Sequence, residues 1–180
     1  MGISVSSFFI RDARPDDAAS LWALQQAAYS PLARVLPSRP TALDESEAYL
    51  RQRLEHVPCQ VVVHVGGELV AAGRIEGVAP LGELKRIAVH PARQSLGLGR
   101  MLVLALEEKA RQLEFVRLRA GTRRRLPGNV AFYERLGYQL VAVEPYPAGI
   151  DDETVWLEKL LLARQGEASS SNANGGEPST

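Results

Sequence analysis

The sequence predicts an α/β fold (α+β) in a single domain built on one mixed sheet. Its 180 residues suffice for one domain with a hydrophobic core and are too few for two domains of ordinary size. Strand-like and helix-like segments follow in the order β, α, α, then three strands, helix, strand, helix and two strands. The only long crossover between neighbouring parallel strands contains a glycine turn at residues 94–100. Switch points of this kind are where α/β folds usually bind ligands.

The N-terminal part of the chain predicts one strand and two helices. Residues 8–13 begin with an apolar run and predict the first strand. A proline followed by two aspartates is typical of a first helical turn, so residues 15–29 predict a helix. Three prolines make residues 30–41 an irregular loop. A second helix is predicted over residues 43–55, with Asp44 as its cap.

The middle of the chain predicts a hairpin and a further strand. Gly66-Gly67 separates two apolar runs, residues 60–65 and 69–76, and is typical of a tight turn between paired strands. Residues 83–89 predict the next strand. His90-Pro91 ends it, because proline has no N–H group for a strand ladder.

The C-terminal part predicts two helices and three strands. In order, these are a helix at 98–113, a strand at 115–120, a helix at 127–136 closed by Gly137, and strands at 138–143 and 154–161. Residues 165–180 carry Ser, Asn, Gly and Glu without an apolar anchor, which predicts a disordered tail. The predicted domain therefore covers residues 1–164.

Composition excludes several classes of partner. The 21 basic and 21 acidic residues cancel, so no net field favours nucleic acid or a membrane surface. Cys59 is the single cysteine, which excludes an internal disulfide and fits a reducing compartment. No apolar stretch has membrane-spanning length and no leader pattern is present, so we expect a cytoplasmic protein. The three histidines show no paired spacing, and we expect no metal site.

The glycine turn has the properties of an anion-binding site. It lies between a strand and a helix whose apolar residues recur at helical spacing from Leu98 onward. The first N–H groups of a helix lack partners within it, and the helix dipole favours negative charge there. Gly97 and Gly99 would let a phosphate approach the backbone with no Cβ in the way.

Spacing excludes two common nucleotide sites at this turn. A P-loop requires lysine and a hydroxyl residue after its last glycine, and here Gly99 is followed by Arg100 and Met101. A dinucleotide fingerprint requires a third glycine at the position of Leu102.

The turn and its flanks resemble the GNAT superfamily of acyl-CoA-dependent N-acyltransferases. The pattern Gln94-x-x-Gly97-x-Gly99 is similar to the family's pyrophosphate-binding signature. Residues 83–91 resemble its fourth strand, residues 128–138 its last helix, and residues 155–159 its final strand. The resemblance implies the GNAT fold, a mixed central sheet of about six or seven strands with about four helices on both faces, splayed between strands 4 and 5.

The resemblance also implies acetyl-CoA as cosubstrate. Its pyrophosphate would lie on the backbone around the turn, and its pantetheine arm would bond the exposed edge of the fourth strand like an added strand. Asn129 would contact the pantetheine region, with a helix cap as the alternative role. The residues expected to bind acetyl-CoA are Ile87, Ala88, Val89, Gln94, Ser95, Leu96, Gly97, Leu98, Gly99, Arg100, Asn129 and Tyr133. Arg93 and the run at 123–125 are further candidates for its 3′-phosphate.

Two catalytic residues follow from the resemblance. Tyr133 matches the position of the residue that protonates the departing thiolate, and its alternative role is a core aromatic. Glu83 has the spacing from Gln94 of the general base in some members. Its alternative role is a strand-end residue paired with Lys85 or Arg86. A backbone N–H of Ile87 or Ala88 would stabilise the oxyanion.

The expected activity is direct acetyl transfer to the primary amine of a small molecule in a ternary complex. Acids in the last loop, at Glu144 and residues 151–153, suggest a cationic acceptor. A protein N-terminal or lysine acetyltransferase and a non-catalytic acyl-CoA sensor remain alternatives. A homodimer is an expectation from the family alone.

Overall fold

Seven strands form one mixed sheet in the order β1-β2-β3-β4-β5-β7-β6. The computed structural model describes residues 8–56, 60–147 and 149–161. The strands are β1 Phe8–Asp12, β2 Gln60–Val65, β3 Glu68–Val78, β4 Leu81–Val89, β5 Arg117–Arg123, β6 Gln139–Pro145 and β7 Glu153–Leu160. The helices are α1 Ala18–Tyr29, α2 Glu47–His56, α3 Leu98–Gln112 and α4 Pro127–Arg135. Cys59 and the predicted tail at 165–180 lie outside the described residues.

Two hydrophobic cores cover the two faces of the sheet. Leu102 and Leu106 of α3 pack with Leu118 of β5 and Leu157 of β7 on one face, where α4 also lies. Leu21 and Leu24 of α1 and Leu50 of α2 cover the β2–β4 part of the opposite face. The sheet order, the four helices and their placement confirm the fold predicted from the sequence.

The second helix begins later than the sequence predicts. Residues Thr41–Asp44 form a short 3₁₀ turn, and α2 starts only at Glu47. The side chain of Ser46 accepts a 3.1 Å hydrogen bond from the amide of Tyr49, so Ser46 caps the helix. Asp44, the predicted cap, forms a 3.2 Å ion pair with Arg39 instead. The expectation for Asp44 was therefore wrong.

Strands β4 and β5 are parallel and separate partway along their length. Their register runs from Leu81↔Arg117 to Leu84↔Ala120. Beyond that pair the two strands continue to Val89 and Arg123 without pairing each other. The sheet is therefore open in its middle, between the carboxyl ends of two parallel strands, where the resemblance placed the splay.

A bulge in β4 lies at the edge of this opening. Ala72 pairs Ala88 and Arg74 pairs Lys85, so the single residue Gly73 faces two residues of β4. One of the two, Arg86, has a φ of 55°, which is rare for a residue with a side chain. A Cβ at position 73 would lie 2.5 Å from the Cδ1 of Ile87, so the bulge packs directly on glycine. The bulge redirects the backbone of β4 where it borders the opening.

None of the helices within the described ranges is both long and apolar enough to cross a membrane.

Candidate functional site

A cavity of about 500 Å³ occupies the opening between β4 and β5. It is lined from both faces of the sheet, by α1 and the loop after it on one side and by α4 on the other. The residues assigned to the site from the sequence that line this cavity are Glu83, Ile87, Ala88, Val89, Gln94, Asn129 and Tyr133.

The glycine turn lies next to this cavity and leads into α3. Gly97 is in the left-handed conformation, with a φ of 76°, and precedes the first helical residue, Leu98. The first helical hydrogen bond runs from the amide of Met101 to the carbonyl of Gly97, at 3.1 Å. The amides of Leu98, Gly99 and Arg100 therefore have no carbonyl partner inside the helix.

The turn has open space where a phosphate would bind. A Cβ built at Gly97 would meet no atom within 4 Å. Leu96 is exposed, whereas the side chain of Leu98 is buried, so Leu98 offers only its backbone. A Cβ at Gly99 would lie 3.4 Å from the ring of Phe132 on α4. The turn thus fits an anionic group held by backbone amides at a helix N-terminus.

Asn129 and Tyr133 lie one turn apart on α4. The helix begins at Pro127, and the side-chain amide of Asn129 donates a 3.2 Å hydrogen bond to the Thr122 hydroxyl of β5. Asn129 therefore does not cap the helix, which excludes the alternative role considered for it. Its contact instead joins α4 to the strand that borders the opening.

Tyr133 belongs both to the core and to the cavity wall. Its ring meets Phe132 and Tyr138 edge-on, at centroid distances of 5.1 Å and 5.5 Å. The side chain is buried yet lines the cavity. Burial, together with the nearby phenol of Tyr29, raises the pKa of Tyr133 above its usual value. The phenol is therefore a protonated donor throughout the neutral pH range.

Tyr29, the last residue of α1, was not predicted as part of the site. Its phenol donates a 3.1 Å hydrogen bond to the carbonyl oxygen of Ile87 in the β4 bulge. Burial raises the pKa of Tyr29 to about 12, so this donor also keeps its proton. No local pattern distinguishes it from any other aromatic residue at a helix end.

Glu83 faces the cavity from β4 and has two cationic partners. Lys85 contacts one carboxylate oxygen, and Arg119 of β5 pairs with the other at 3.3 Å. Glu83 and Arg119 are also register partners, one position before β4 and β5 separate. The carboxylate therefore holds together the closed end of the opening. The sequence suggested Lys85 or Arg86 as the structural partner of Glu83, and the contact found is with Lys85.

A buried cluster around Glu45 supports the β4 bulge. Glu45 accepts hydrogen bonds of 2.7 Å and 3.0 Å from Arg74 and 2.8 Å from Arg86. Gln25 of α1 donates a fourth hydrogen bond to Glu45, at 3.0 Å. Burial alone would raise the pKa of the Glu45 carboxyl, but the hydrogen bonds and charges of Arg74 and Arg86 hold it below its usual value. Glu45 thus fixes the side chain of Arg86, whose backbone has the positive φ.

Arg123 lies at the end of β5, where the last loop meets the loop after α1. Its Nε donates a 2.7 Å bond to Asp152, and its Nη1 donates a 3.0 Å bond to the hydroxyl of Ser38. The guanidinium stacks on the ring of Tyr146, with Cζ 3.5 Å from the ring centroid. Burial would raise the pKa of Asp152, yet a backbone N–H and Arg123 together hold it below its usual value.

The acids of the last loop do not form a free negative rim. Asp151 pairs with Arg125 at 2.9 Å, Glu153 with Arg124 at 2.9 Å, and Asp152 with Arg123. The remaining acid, Glu144, accepts a 2.8 Å bond from the indole N–H of Trp156. The sequence suggested a cationic acceptor because of these acids, and their pairing removes the support for that suggestion. The same ion pairs direct the side chains of residues 123–125 toward this loop.

In the part of the chain that the structure describes, no three histidine, cysteine, aspartate or glutamate residues group in a way that could hold a metal ion.

Comparison with known families gives one match for the chain. Residues 19–138 match the profile described as "Acetyltransferase (GNAT) family". The matched segment includes α1, the β4 bulge, the glycine turn and α4. Among curated proteins, a sequence search finds no match.

Solved structures resemble the fold at low sequence identity. The ribosomal-protein-S18-alanine N-acetyltransferase from Escherichia coli superposes with a TM-score of 0.71 at 20% identity, covering 89% of this chain and 98% of its own. PaiA N-acetyltransferase from Thermoplasma acidophilum, solved with coenzyme A, gives 0.70 at 16% identity, covering 86% and 99%. YncA from Salmonella typhimurium, solved with its cofactor acetyl-CoA, gives 0.68 at 19% identity, covering 88% and 96%.

Proposed function

Because the chain belongs to the GNAT acetyltransferase family, we propose that it transfers an acetyl group from acetyl-CoA to the primary amine of a small molecule. The observation that carries the proposal is the cavity through the middle of the sheet. It has the glycine turn at one end, a protonated phenol in its wall and a carboxylate facing it. Each is a group that direct acyl transfer to an amine requires.

Acetyl-CoA would be held mainly by backbone groups. The turn from Ser95 to Arg100 would take the pyrophosphate, supported by the free first-turn amides and the open space at Gly97. The unpaired edge of β4 at Ile87, Ala88 and Val89 would bond the pantetheine arm, with Asn129 beside it. When bound, acetyl-CoA supplies the activated acyl group as a thioester.

Glu83 and Tyr133 would manage the protons of the transfer. Glu83, directly or through water, takes the proton that the ammonium group of the acceptor must lose. The amine nitrogen then forms a bond to the acyl carbon, the bond from that carbon to sulfur breaks, and the nitrogen releases its second proton to water to give the neutral amide. Tyr133 donates its proton to the departing thiolate and is reprotonated from solvent. An amide of Ile87 or Ala88 would stabilise the oxyanion.

The test is to mix purified protein with acetyl-CoA and a panel of amines while following the release of free thiol. We expect turnover with small amines and little with peptides. Turnover restricted to peptides would instead support a protein acetyltransferase, the class to which the name of the Escherichia coli relative above points.

Tight binding of acetyl-CoA without turnover across a broad panel would favour a non-catalytic sensor. Failure to bind acetyl-CoA at all would contradict the proposal. A cytoplasmic location and a homodimer stay predictions. They are checked by localising the tagged protein and by light scattering of the purified chain.

A further inference from the structure

The two halves of the cavity lie on opposite faces of the sheet. Leu84 of β4 and Leu118 and Ala120 of β5 point into the core under α3, so their neighbours along each strand point to the other face. The side chains on that second face at the cavity are Glu83, Lys85, Arg123 and Trp156. Since α4 and the glycine turn take the acetyl-CoA side, this second face is where an acceptor would bind.

The Arg123 guanidinium has one nitrogen without a hydrogen-bond partner among the described residues. Its Nε and Nη1 bond Asp152 and Ser38, but its buried Nη2 has no hydrogen-bond partner there. Arg123 as a whole is only 9% exposed and lines the cavity. A buried guanidinium donor without a partner is unfavourable, and an anionic oxygen is the partner that suits it best.

The charges around the part of the cavity on this second face, the acceptor half, also favour an anionic group in the acceptor. Glu83 is shared by Lys85 and Arg119, so two cations face one carboxylate. Arg123 has one carboxylate partner, Asp152, and Asp151 and Glu153 pair with arginines outside the cavity, whereas Glu144 accepts a hydrogen bond from Trp156. Among the charged side chains of the described residues that line the cavity, Lys85, Arg86 and Arg123 outnumber the one carboxylate, Glu83, and this disfavours a polycation.

We propose that the acceptor is an amine that also carries a carboxylate, bound through the free Nη2 of Arg123. The proposal rests on the acetyltransferase function above and specifies the substrate class. Because Tyr146 stacks on the guanidinium and covers Arg123 from the loop side, the proposal requires this ring to shift when the carboxylate binds. A free amino acid has both an amine and a carboxylate. Its carboxamide lacks the negative charge of the carboxylate, and so does the N-terminal residue of a peptide, whose carboxyl group is in a peptide bond.

The experiment compares each of a panel of L-amino acids and β-alanine with its own carboxamide, under saturating acetyl-CoA. We expect kcat/KM to be at least about 10-fold higher for the best acid than for its amide, because the amide leaves the guanidinium donor poorly matched. The Arg123→Gln variant should remove this preference. It should raise KM for the acid at least about 10-fold while leaving the KM for acetyl-CoA unchanged.

Arg117→Gln is the matched control. It removes the same charge from the other end of β5, where Arg117 pairs with Glu158 on the surface, and it should keep the wild-type preference. If Arg123→Gln fails to fold, the wild-type comparison of acids with amides still decides. If acetyl-CoA binds but no amine reacts, titration calorimetry of the same acids into the CoA complex gives the answer.

Each outcome is distinct. Turnover of amides or alanine-initiated tripeptides equal to that of amino acids overturns the carboxylate proposal while leaving acetyl transfer intact. If Arg123→Gln lowers kcat/KM equally for the acid and for its amide, Arg123 only supports the loop structure, and the carboxylate proposal is again overturned. Absence of any carboxylate binding to the CoA complex does the same. Absence of acetyl-CoA binding removes the function on which the proposal depends.

Discussion

The phenolic oxygen of Tyr29 lies 3.1 Å from the carbonyl oxygen of Ile87 and ties the end of α1 to the bulge in β4. The same bulge is also held by the ion pairs between Glu45, Arg74 and Arg86. The strand edge proposed to bind the pantetheine arm is therefore positioned by two side chains that belong to the acceptor face. The helical layer on that face thus supports the geometry of the cofactor side.

Replacing Tyr29 should weaken both stability and turnover. Tyr29→Phe removes the donor to Ile87, and we expect the free energy of unfolding to fall by about 1 kcal/mol. Turnover should fall because the β4 backbone is less fixed. Denaturant unfolding and steady-state kinetics measure the two effects. Tyr49→Phe, on the exposed side of α2, is the control and should match wild type. Unchanged stability and kinetics in Tyr29→Phe would contradict the positioning role.

Replacing Tyr133 should separate chemistry from binding. Tyr133→Phe keeps the ring and removes the proton donor, so we expect kcat to fall about 10²-fold or more. The Kd for acetyl-CoA should change little, because the core packing of the ring is retained. Tyr138→Phe, whose ring lies 5.5 Å from that of Tyr133, is the matched control. A normal kcat for Tyr133→Phe from pH 6 to 9 would assign the residue to the core alone.

Substitution in the glycine turn should abolish binding of acetyl-CoA. Gly97→Glu places a side chain and a negative charge in the open space in front of the first-turn amides. Gly66→Glu in the β2–β3 hairpin is a close control, since Gly66 also has a positive φ and open space around its Cβ. Titration calorimetry should show no binding for the first variant and wild-type affinity for the second. Equal affinities would contradict the assignment of the turn.

The Glu45 cluster should make stability depend on acid pH. The pKa of Glu45 is held below its unfolded value, so its stabilising contribution is complete above about pH 4.3 and is lost as pH falls through the lower folded pKa. Glu45→Gln should lower the free energy of unfolding at pH 7 by about 3 kcal/mol, because it leaves Arg74 buried without its main counter-charge.

The Glu45→Gln variant should also lose less stability than the wild type when the pH is lowered from 6 to 3. Urea unfolding at several pH values measures both effects. Glu47→Gln, which breaks an exposed pair with Arg51, should cost less than about 0.5 kcal/mol. Parallel pH curves for wild type and Glu45→Gln would show that the carboxylate does not supply the acid dependence.

The parts of the site that the sequence predicts are those encoded locally. The glycine turn and the start of α3 follow from spacing over a few residues, and the structure places both as expected. The contacts of Arg123 with Ser38 and of Glu45 with Arg86 join residues far apart in the chain, which no periodicity reveals. The positive φ at Arg86 is equally invisible, because it comes from the register of β3 against β4 rather than from a glycine.

The acidic last loop shows why composition alone misleads. The carboxylates at 151–153 are adjacent in sequence to one another but not to the arginines at 123–125 that neutralise them across the β5–β7 pair. The charge of the acceptor half therefore emerges only when the strands are paired. The sequence thus predicts the backbone of the glycine turn better than it predicts the side-chain contacts on the opposite face of the sheet.

The separation of β4 and β5 after Leu84 and Ala120 leaves two strands in mid-sheet that do not satisfy each other's backbone groups. A bound ligand with amides along this gap would complete the ladder, so its binding energy would add to that of folding. By mass action, a ligand at 100 times its Kd adds about 2.7 kcal/mol. The stability of the folded chain would then rise with the concentration of the acetyl-CoA that is proposed to bind here.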